Sequence, residues 1–179
     1  MSIETKRLVI RSFNILDTKK VFKMSQEDLM IEFLPDQVYD DLEHAKEVIE
    51  FLISKYGHHS IVDHLPYVLG IELKENHELI GHVGLSSIKK GIEIGYAIEE
   101  KYHGNNYATE AVEAMTNLAL NNPLINEIWA VLDDSNKASV RVLEKSGYKH
   151  INKENSKIIM KKDVIKKIWK RYVIKHWVF

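Results

Sequence analysis

The chain has 179 residues and a mass of 20.8 kDa, enough for a single domain over residues 1–179 with a substantial core. Hydrophobic residues make up 45% and charged residues 28%, near the globular average, which excludes a disordered tail. A net charge of −1 argues against a general nucleic-acid-coating protein, and zero cysteines exclude disulfide scaffolds, thiolate metal sites and cysteine nucleophiles.

The opening residues run into Leu8-Val9-Ile10, flanked by Arg7 and Arg11, a first strand with no apolar export region before it. No later stretch approaches the roughly 18 apolar residues that span a bilayer, so a soluble cytoplasmic protein is expected. A helical stretch is expected over residues 17–24. A stronger one covers 40–56, where Leu42, Ala45, Val48, Ile49, Leu52 and Ile53 fall on one stripe. Asp40 and Glu43 have capping-box spacing at its start, and Gly57 stops it. Residues 67–74 and 79–88 read as a hairpin, and 92–98 as a further strand after the tight Lys89-Lys90-Gly91 link. The period then changes. Ala108, Ala111, Val112, Met115, Leu118 and Ala119 mark a helix ended by Asn121-Asn122-Pro123. Residues 128–132 read as a short buried strand, 136–146 as a helix capped by Asn136 and stopped by Gly147, and 148–151 as a strand. Farther on, 163–169 has helical character and 172–179 looks extended. This order indicates one mixed α/β domain with an antiparallel front and a βαβ-like rear half.

The most informative passage runs from Glu93-Ile94-Gly95-Tyr96-Ala97-Ile98 to His103-Gly104-Asn105-Asn106-Tyr107-Ala108-Thr109-Glu110-Ala111. A strand enters a turn rich in residues that tolerate left-handed backbone, and the turn opens a helix. The free N–H groups of a helix's first turn, with the positive end of its dipole, attract an anion. Gly104, Asn105 and Asn106 permit conformations that aim successive N–H groups at one point. A phosphate or pyrophosphate suits that arrangement; an ordinary strand-to-helix turn is the plainer alternative.

The later run Asn136-Lys137-Ala138-Ser139, then Glu144-Lys145-Ser146-Gly147-Tyr148, resembles the N-x-x-S, E-K-x-G-F/Y segment of the GNAT superfamily of acyl-CoA-dependent N-acetyltransferases. The strand-to-helix passage resembles that superfamily's G-Y-x-I … G-x-x-Y-A-T-E-A pyrophosphate loop. Thr5-Lys6-Arg7-Leu8-Val9-Ile10-Arg11 resembles the T-x-R-L-x-L-R start of its RimJ/RimL-type branch, the N-acetyltransferases of ribosomal proteins and their relatives. The three segments stand in the family's order.

The resemblance implies a mixed, mostly antiparallel central sheet with helices on both faces. Two neighbouring strands, here 92–98 and 128–132, would splay apart. It also implies acetyl-CoA as cosubstrate and no metal. The pantetheine arm would lie in the gap and pair with backbone groups near Tyr96, Ala97 and Ile98, and Gly95 fits a bulge or a close approach there. The pyrophosphate would rest on N–H groups of His103, Gly104, Asn105, Asn106, Tyr107, Ala108 and Thr109. Asn136 would touch the pantetheine or brace the gap. Two departures stand out: His103 replaces the family's usual Arg or Gln, and Asn106 replaces its second glycine. Asn tolerates positive φ, yet its side chain is expected to crowd the phosphate. Many relatives place a tyrosine acid where this chain has Leu143. In the RimJ/RimL branch the serine matching Ser139 protonates or hydrogen-bonds the leaving thiolate.

Acetyl transfer to an amine needs a base for the ammonium, a donor for the oxyanion and a proton or hydrogen bond for the thiolate. Glu93 is the best-placed carboxylate for the base, directly or through water, and His82 on the adjacent strand is the alternative. A backbone N–H near Ile98 would serve the oxyanion. The plainer roles are a strand-face carboxylate with a surface partner for Glu93, a hydrogen-bonded structural histidine for His82 and an early-helix serine for Ser139. His58, His59 and His64 lack a matching carboxylate geometry, so no metal site is expected. Tyr39 and Tyr56 are candidates for either an acceptor groove or the core.

Charge is segregated along the chain. Residues 27–56 carry nine acids against Lys46 and Lys55, and residues 157–175 carry eight bases against Asp163. The acidic stretch points to a cationic acceptor, such as a protein N-terminus, a polyamine or an aminoglycoside-like amine, or else to a solvated helix face. The basic stretch is a candidate for nucleic-acid or ribosome association, or a solubilising surface. The resulting expectation is an acetyl-CoA-dependent N-acetyltransferase working by direct transfer, as a monomer or homodimer. A catalytically degenerate acyl-CoA-binding module is the alternative.

Overall fold

The computed structural model describes residues 2–57 and 62–164. Its strands are β1 (Ser2–Glu4), β2 (Leu8–Arg11), β3 (Tyr67–Leu73), β4 (Leu79–Ile88), β5 (Gly91–Ile98), β6 (Glu127–Asp133), β7 (Lys149–Glu154) and β8 (Lys157–Asp163). Its helices are α1 (Thr18–Ser25), α2 (Asp28–Phe33), α3 (Leu42–Ser54), α4 (Tyr107–Leu120) and α5 (Lys137–Lys145). The strands form one sheet in the order β1-β2-β3-β4-β5-β6-β8-β7. Every neighbouring pair is antiparallel except β5 and β6, which are parallel and joined through α4.

Alternation along the strands sorts the side chains. Leu69, Ile71, Val83, Leu85, Ile94 and Ile98 pack with Ile128 and Ala130 beneath Ala111, Val112, Met115 and Ala119 of α4 and Leu143 of α5. On the opposite face Phe13, Ile49, Leu52 and Leu79 form a smaller cluster with α1 and α3. Each fully buried aliphatic side chain contributes about 1.5–3 kcal/mol, so these two clusters hold the sheet between its helical layers. The expected mixed sheet with helices on both faces is what forms.

Several boundaries differ from the sequence expectation. The helix expected from residue 40 begins at Leu42, and Asp41 rather than Asp40 is its cap. Asp41 has the extended backbone an N-cap requires, and it accepts from the His44 N–H at 2.8 Å. Helix α2 carries no sequence signal, because Leu29-Met30-Ile31 is a bare apolar triplet without helical period. Strand β8 was also hidden. Lys157-Ile158-Ile159-Met160-Lys161 lacks alternation since it lies between β6 and β7 with its centre buried. The strand expected at 148–151 runs from Lys149 to Glu154 and reaches β8 through Asn155 and Ser156, both at positive φ. Asp163 ends β8 instead of opening a helix, and 165–169, all of 172–179, and His58 and His59 lie outside the described residues.

The described part of the basic stretch is held by its own chain. Lys161 sits 3.0 Å from both Glu127 and Asp163, Lys157 lies 3.5 Å from Asp133, and Lys162 donates to the Ser146 carbonyl at 2.7 Å. Among the described residues no helix is long and apolar enough to cross a membrane.

Candidate active site

Strands β5 and β6 share a single register pair, Glu93 opposite Trp129, and then diverge. The ladder between β4 and β5 decides which backbone groups face the gap. Glu99 N–H donates to Ile80 C=O, so Ala97 and His82 exchange backbone bonds. Tyr96 and Ile98 therefore turn their N–H and C=O groups toward β6. The Ile98 carbonyl is met by the ring N–H of His103 at 2.7 Å. The gap opens into a cleft of about 580 Å³ walled by β5, β6, α2, α5 and the start of α4.

The turn before α4 has a backbone form that can receive an anion. Gly104 has φ +79° and Asn106 has φ +60°, the left-handed region in which alternating residues bring successive N–H groups together. The Asn106 side chain, expected to crowd the phosphate, lines the cleft together with Lys145, whose Nζ donates to its Oδ1 at 2.9 Å. The three motif segments meet here. Arg7 donates through its guanidinium to Asn105 C=O at 3.0 Å and to Glu110 Oε2 at 2.8 Å, and it lies 4.4 Å over the Tyr107 ring. Arg7 N–H and Thr5 Oγ1–H both donate to Glu110 Oε1. Burial alone would raise the Glu110 carboxyl, but these hydrogen bonds hold it below its ordinary value.

Across the gap, Tyr96 OH donates to Ser139 C=O at 3.1 Å, and burial pushes the phenol up to about 12. Asn136 caps α5 by accepting from the Ser139 N–H at 3.0 Å. Ser139 lines the cleft, and its hydroxyl has no partner among the described residues. Tyr96, Ala97, Ile98, His103, Gly104, Asn106, Tyr107, Ala108, Thr109 and Asn136 line the same cleft. Asn105 does not, because its amide donates to the carbonyls of Tyr102 and His103 and stiffens the turn from behind.

The two expected bases occupy different places. Glu93 stands at the closed end of the gap, outside the cleft lining, where Oε1 accepts from Val131 N–H at 3.0 Å. Burial raises its carboxyl despite that bond. His82 has no hydrogen-bond partner at Nε2, which is sealed from solvent, so the expectation of a hydrogen-bonded structural histidine does not hold at that atom. Burial lowers its pKa to about 4, so the ring is neutral. It lines a separate cavity of about 20 Å³ with Ser25, Gln37, Tyr39 and Met30, and Met30 also lines the cleft. Tyr56 belongs to the core side, with its hydroxyl on Val68 C=O at 2.6 Å.

Sequence reasoning missed two walls. On α5, Lys137, Arg141 and Lys145 line the cleft, and their spacing of four residues was a readable signal. On α2, Leu29, Met30, Phe33 and Leu34 line it with Glu27, the one acid of residues 27–56 that does so. Glu27 and Glu100 clasp each other's segments: Glu100 N–H donates to Glu27 Oε2, and Leu29 N–H donates to Glu100 Oε1, both at 3.0 Å. Burial raises the Glu27 carboxyl, and neighbouring Glu99 and Glu100 add to the rise.

The acetyltransferase (GNAT) domain family model matches residues 7–149. The uncharacterized N-acetyltransferase YnaD of Bacillus subtilis (strain 168) is 28% identical over 149 residues, which cover 82% of each chain. A GNAT-family acetyltransferase from Bacillus anthracis superposes with a TM-score of 0.74 at 20% identity, covering 91% of this chain and 98% of that one. RimL, a ribosomal L7/L12 alpha-N-protein acetyltransferase solved with coenzyme A, superposes with a TM-score of 0.74 at 13% identity and the same coverage.

Proposed function

The chain belongs to the GNAT acetyltransferase family, and from that premise we propose that it transfers the acetyl group of acetyl-CoA directly to a primary amine. The observation that carries this reading is the gap between β5 and β6, which runs into the left-handed turn at Gly104 and Asn106. An extended amide-bearing arm would pair with the groups of Tyr96 and Ile98 as a short strand. A pyrophosphate would rest on the N–H groups that open α4. RimL, which shares this fold, was solved with coenzyme A.

The chemistry follows from the groups around the gap. Glu93 lies on the same strand face as Gly95, two residues away, and a Cβ at Gly95 would meet no atom within 4 Å. That open space is where the acceptor amine stands. Glu93 takes the ammonium proton through a water on Oε2, the oxygen not bonded to Val131. The freed nitrogen lone pair forms the C–N bond at the thioester carbonyl. A gap-facing N–H of Tyr96 or Ile98 stabilises the oxyanion. As the C–S bond breaks, the nitrogen sheds its second proton, which the departing thiolate takes up by way of the Ser139 hydroxyl, and Tyr96 holds the Ser139 backbone in place. Calorimetry with acetyl-CoA, followed by free-thiol release over an amine panel, tests the reading. Saturable binding with amine-dependent thiol release is expected, and binding without turnover on any amine would reject it.

A further inference from the structure

Strand β5 carries a graded face. Alternate residues share one side of a sheet, so Glu93, Gly95, Ala97 and, past the strand's end, Glu99 fall in one row. The row reads acid, glycine, alanine, acid. Gly95 and Ala97 both line the cleft, and a Cβ at Gly95 would meet no atom within 4 Å, so the middle of the row is a trough. His82, paired with Ala97 on β4, marks this as the face beneath α1 and α2, since Met24 and Met30 wall its cavity. Carboxylates stand at both ends. Glu93 braces Val131 at one end. At the other, Glu99 is answered by Lys20 at 2.5 Å, whereas Glu27 and Glu100 are not bonded to any lysine or arginine among the described residues. Each gives one oxygen to a backbone N–H, Glu27 to Glu100 and Glu100 to Leu29, and its second oxygen has no partner among the described residues. Burial raises the Glu27 carboxyl, and the charges of Glu99 and Glu100 raise it further, so negative charge has gathered here. Leu29, Phe33 and Leu34 add an apolar wall to the same cleft.

Resting on the acetyl-transfer reading, we propose that the acceptor is a linear polyamine lying along this trough. One terminal nitrogen stands over Gly95, gives up its protons and takes the acetyl group, its new C–N bond replacing the C–S bond of the thioester. The remote ammonium keeps its protons and is held by the free oxygens of Glu27 and Glu100. The methylenes between them run past Ala97 and against Leu29 and Phe33. The spacing fits. At about 3.3 Å per residue the chain rises roughly 13 Å from Gly95 to Glu99, the neighbour of Glu100. The outer nitrogens of extended spermidine stand about 11 Å apart, and an ammonium–carboxylate contact of about 3 Å closes the rest. Putrescine spans only about 6 Å and cannot touch both ends. A monoamine leaves Glu27 and Glu100 unanswered. An aminoglycoside would press hydroxyls against apolar side chains and lose their water, and a protein N-terminus would lay unpaired peptide groups along the same wall.

The test measures kcat/KM for spermidine, putrescine, hexylamine and kanamycin with the whole chain, while calorimetry follows acetyl-CoA binding. Spermidine is expected to lead each of the others by roughly tenfold or more, the scale of one well-placed charge pair. Glu27→Gln keeps an oxygen for the Glu100 N–H and removes the charge, and Glu100→Gln does the same for the Leu29 N–H. Either should raise the KM for spermidine about tenfold with kcat little changed, and so shrink its lead over hexylamine. Acetyl-CoA binding by each variant shows that it is folded. Equal or faster turnover of putrescine, hexylamine or kanamycin overturns the inference, as does an unchanged spermidine KM in both variants. An equal loss for spermidine and hexylamine overturns it too, because the two carboxylates would then serve the fold alone. Absence of acetyl-CoA binding by the parent chain would overturn the broader reading and this one with it, whereas the other failures leave donor binding intact.

Discussion

Glu93 holds Val131: the carboxylate on β5 accepts the β6 N–H at 3.0 Å, just past the last register pair of the two strands. One side chain thus substitutes for a rung of the sheet at the point where the strands part, and in the proposed reaction its second oxygen would hold the water that takes the ammonium proton. Glu93→Gln separates these roles, because the amide oxygen can still accept from Val131. It should lower kcat by about 10²-fold and remove the acid limb of the pH–rate profile, which lies above the ordinary carboxylate range. Stability should move the other way. A carboxyl whose folded pKa is raised stabilises the fold below its unfolded pKa and loses that contribution as pH rises through the folded value. At neutral pH the ionised group is a liability, so Glu93→Gln should melt no lower than the parent. Unchanged kcat would leave Glu93 as a brace alone.

Ser139→Ala removes a hydroxyl with no described partner, while the backbone groups that bond Asn136 and Tyr96 remain. Thermal stability should stay within about 0.5 kcal/mol. Turnover should fall by roughly 10²-fold with the KM for acetyl-CoA unchanged. Steady-state kinetics beside a melting curve decide it, and a matched loss in both would mark the serine as structural.

Gly104→Ala places a Cβ where no atom lies within 4 Å, so crowding is not the issue. Backbone strain is. At φ +79° an alanine costs roughly 1–2 kcal/mol. The turn can relieve that strain by tilting its N–H groups, so the KM for acetyl-CoA should rise about tenfold, equivalent to ~1.4 kcal/mol, with kcat little changed.

His82 provides a stability switch. Its pKa of about 4 lies below the unfolded value, so the unfolded chain takes up the proton first as pH falls. The stabilisation from a neutral His82 is complete above the unfolded pKa and is lost on the way down to about 4. It amounts to about 3 kcal/mol in full. Denaturant titrations at successive pH values should show the parent losing more stability than His82→Gln between neutrality and pH 4. Parallel curves would place the ring in contact with water.

What the sequence disclosed depended on the range of the forces involved. Helices α3, α4 and α5 and strands β3 to β6 are visible in apolar period, and Asn136 and Gly104 announce their positions by backbone preference. The meeting of Thr5, Arg7 and Glu110 was present only as separate motifs, since hydrogen bonds across 105 positions leave no local pattern. The α2 wall was invisible because six residues give too little period to detect. The partner of Asn106 was unreadable for a related reason: Lys145 comes from another helix, 39 residues away. Likewise the lysines of β8 looked like a free basic surface until Glu127 and the Ser146 carbonyl came to meet them.

The divergence of β5 from β6 also makes the strand a recorder of its own occupancy. Amide hydrogens of Tyr96 and Ile98 face a gap rather than a neighbouring strand, whereas that of Ala97 between them is paired with His82. Hydrogen–deuterium exchange should therefore alternate along three consecutive residues: fast, slow, fast. Acetyl-CoA would slow the outer two and leave the middle one as an internal standard, so donor binding can be followed atom by atom before any acceptor is in hand.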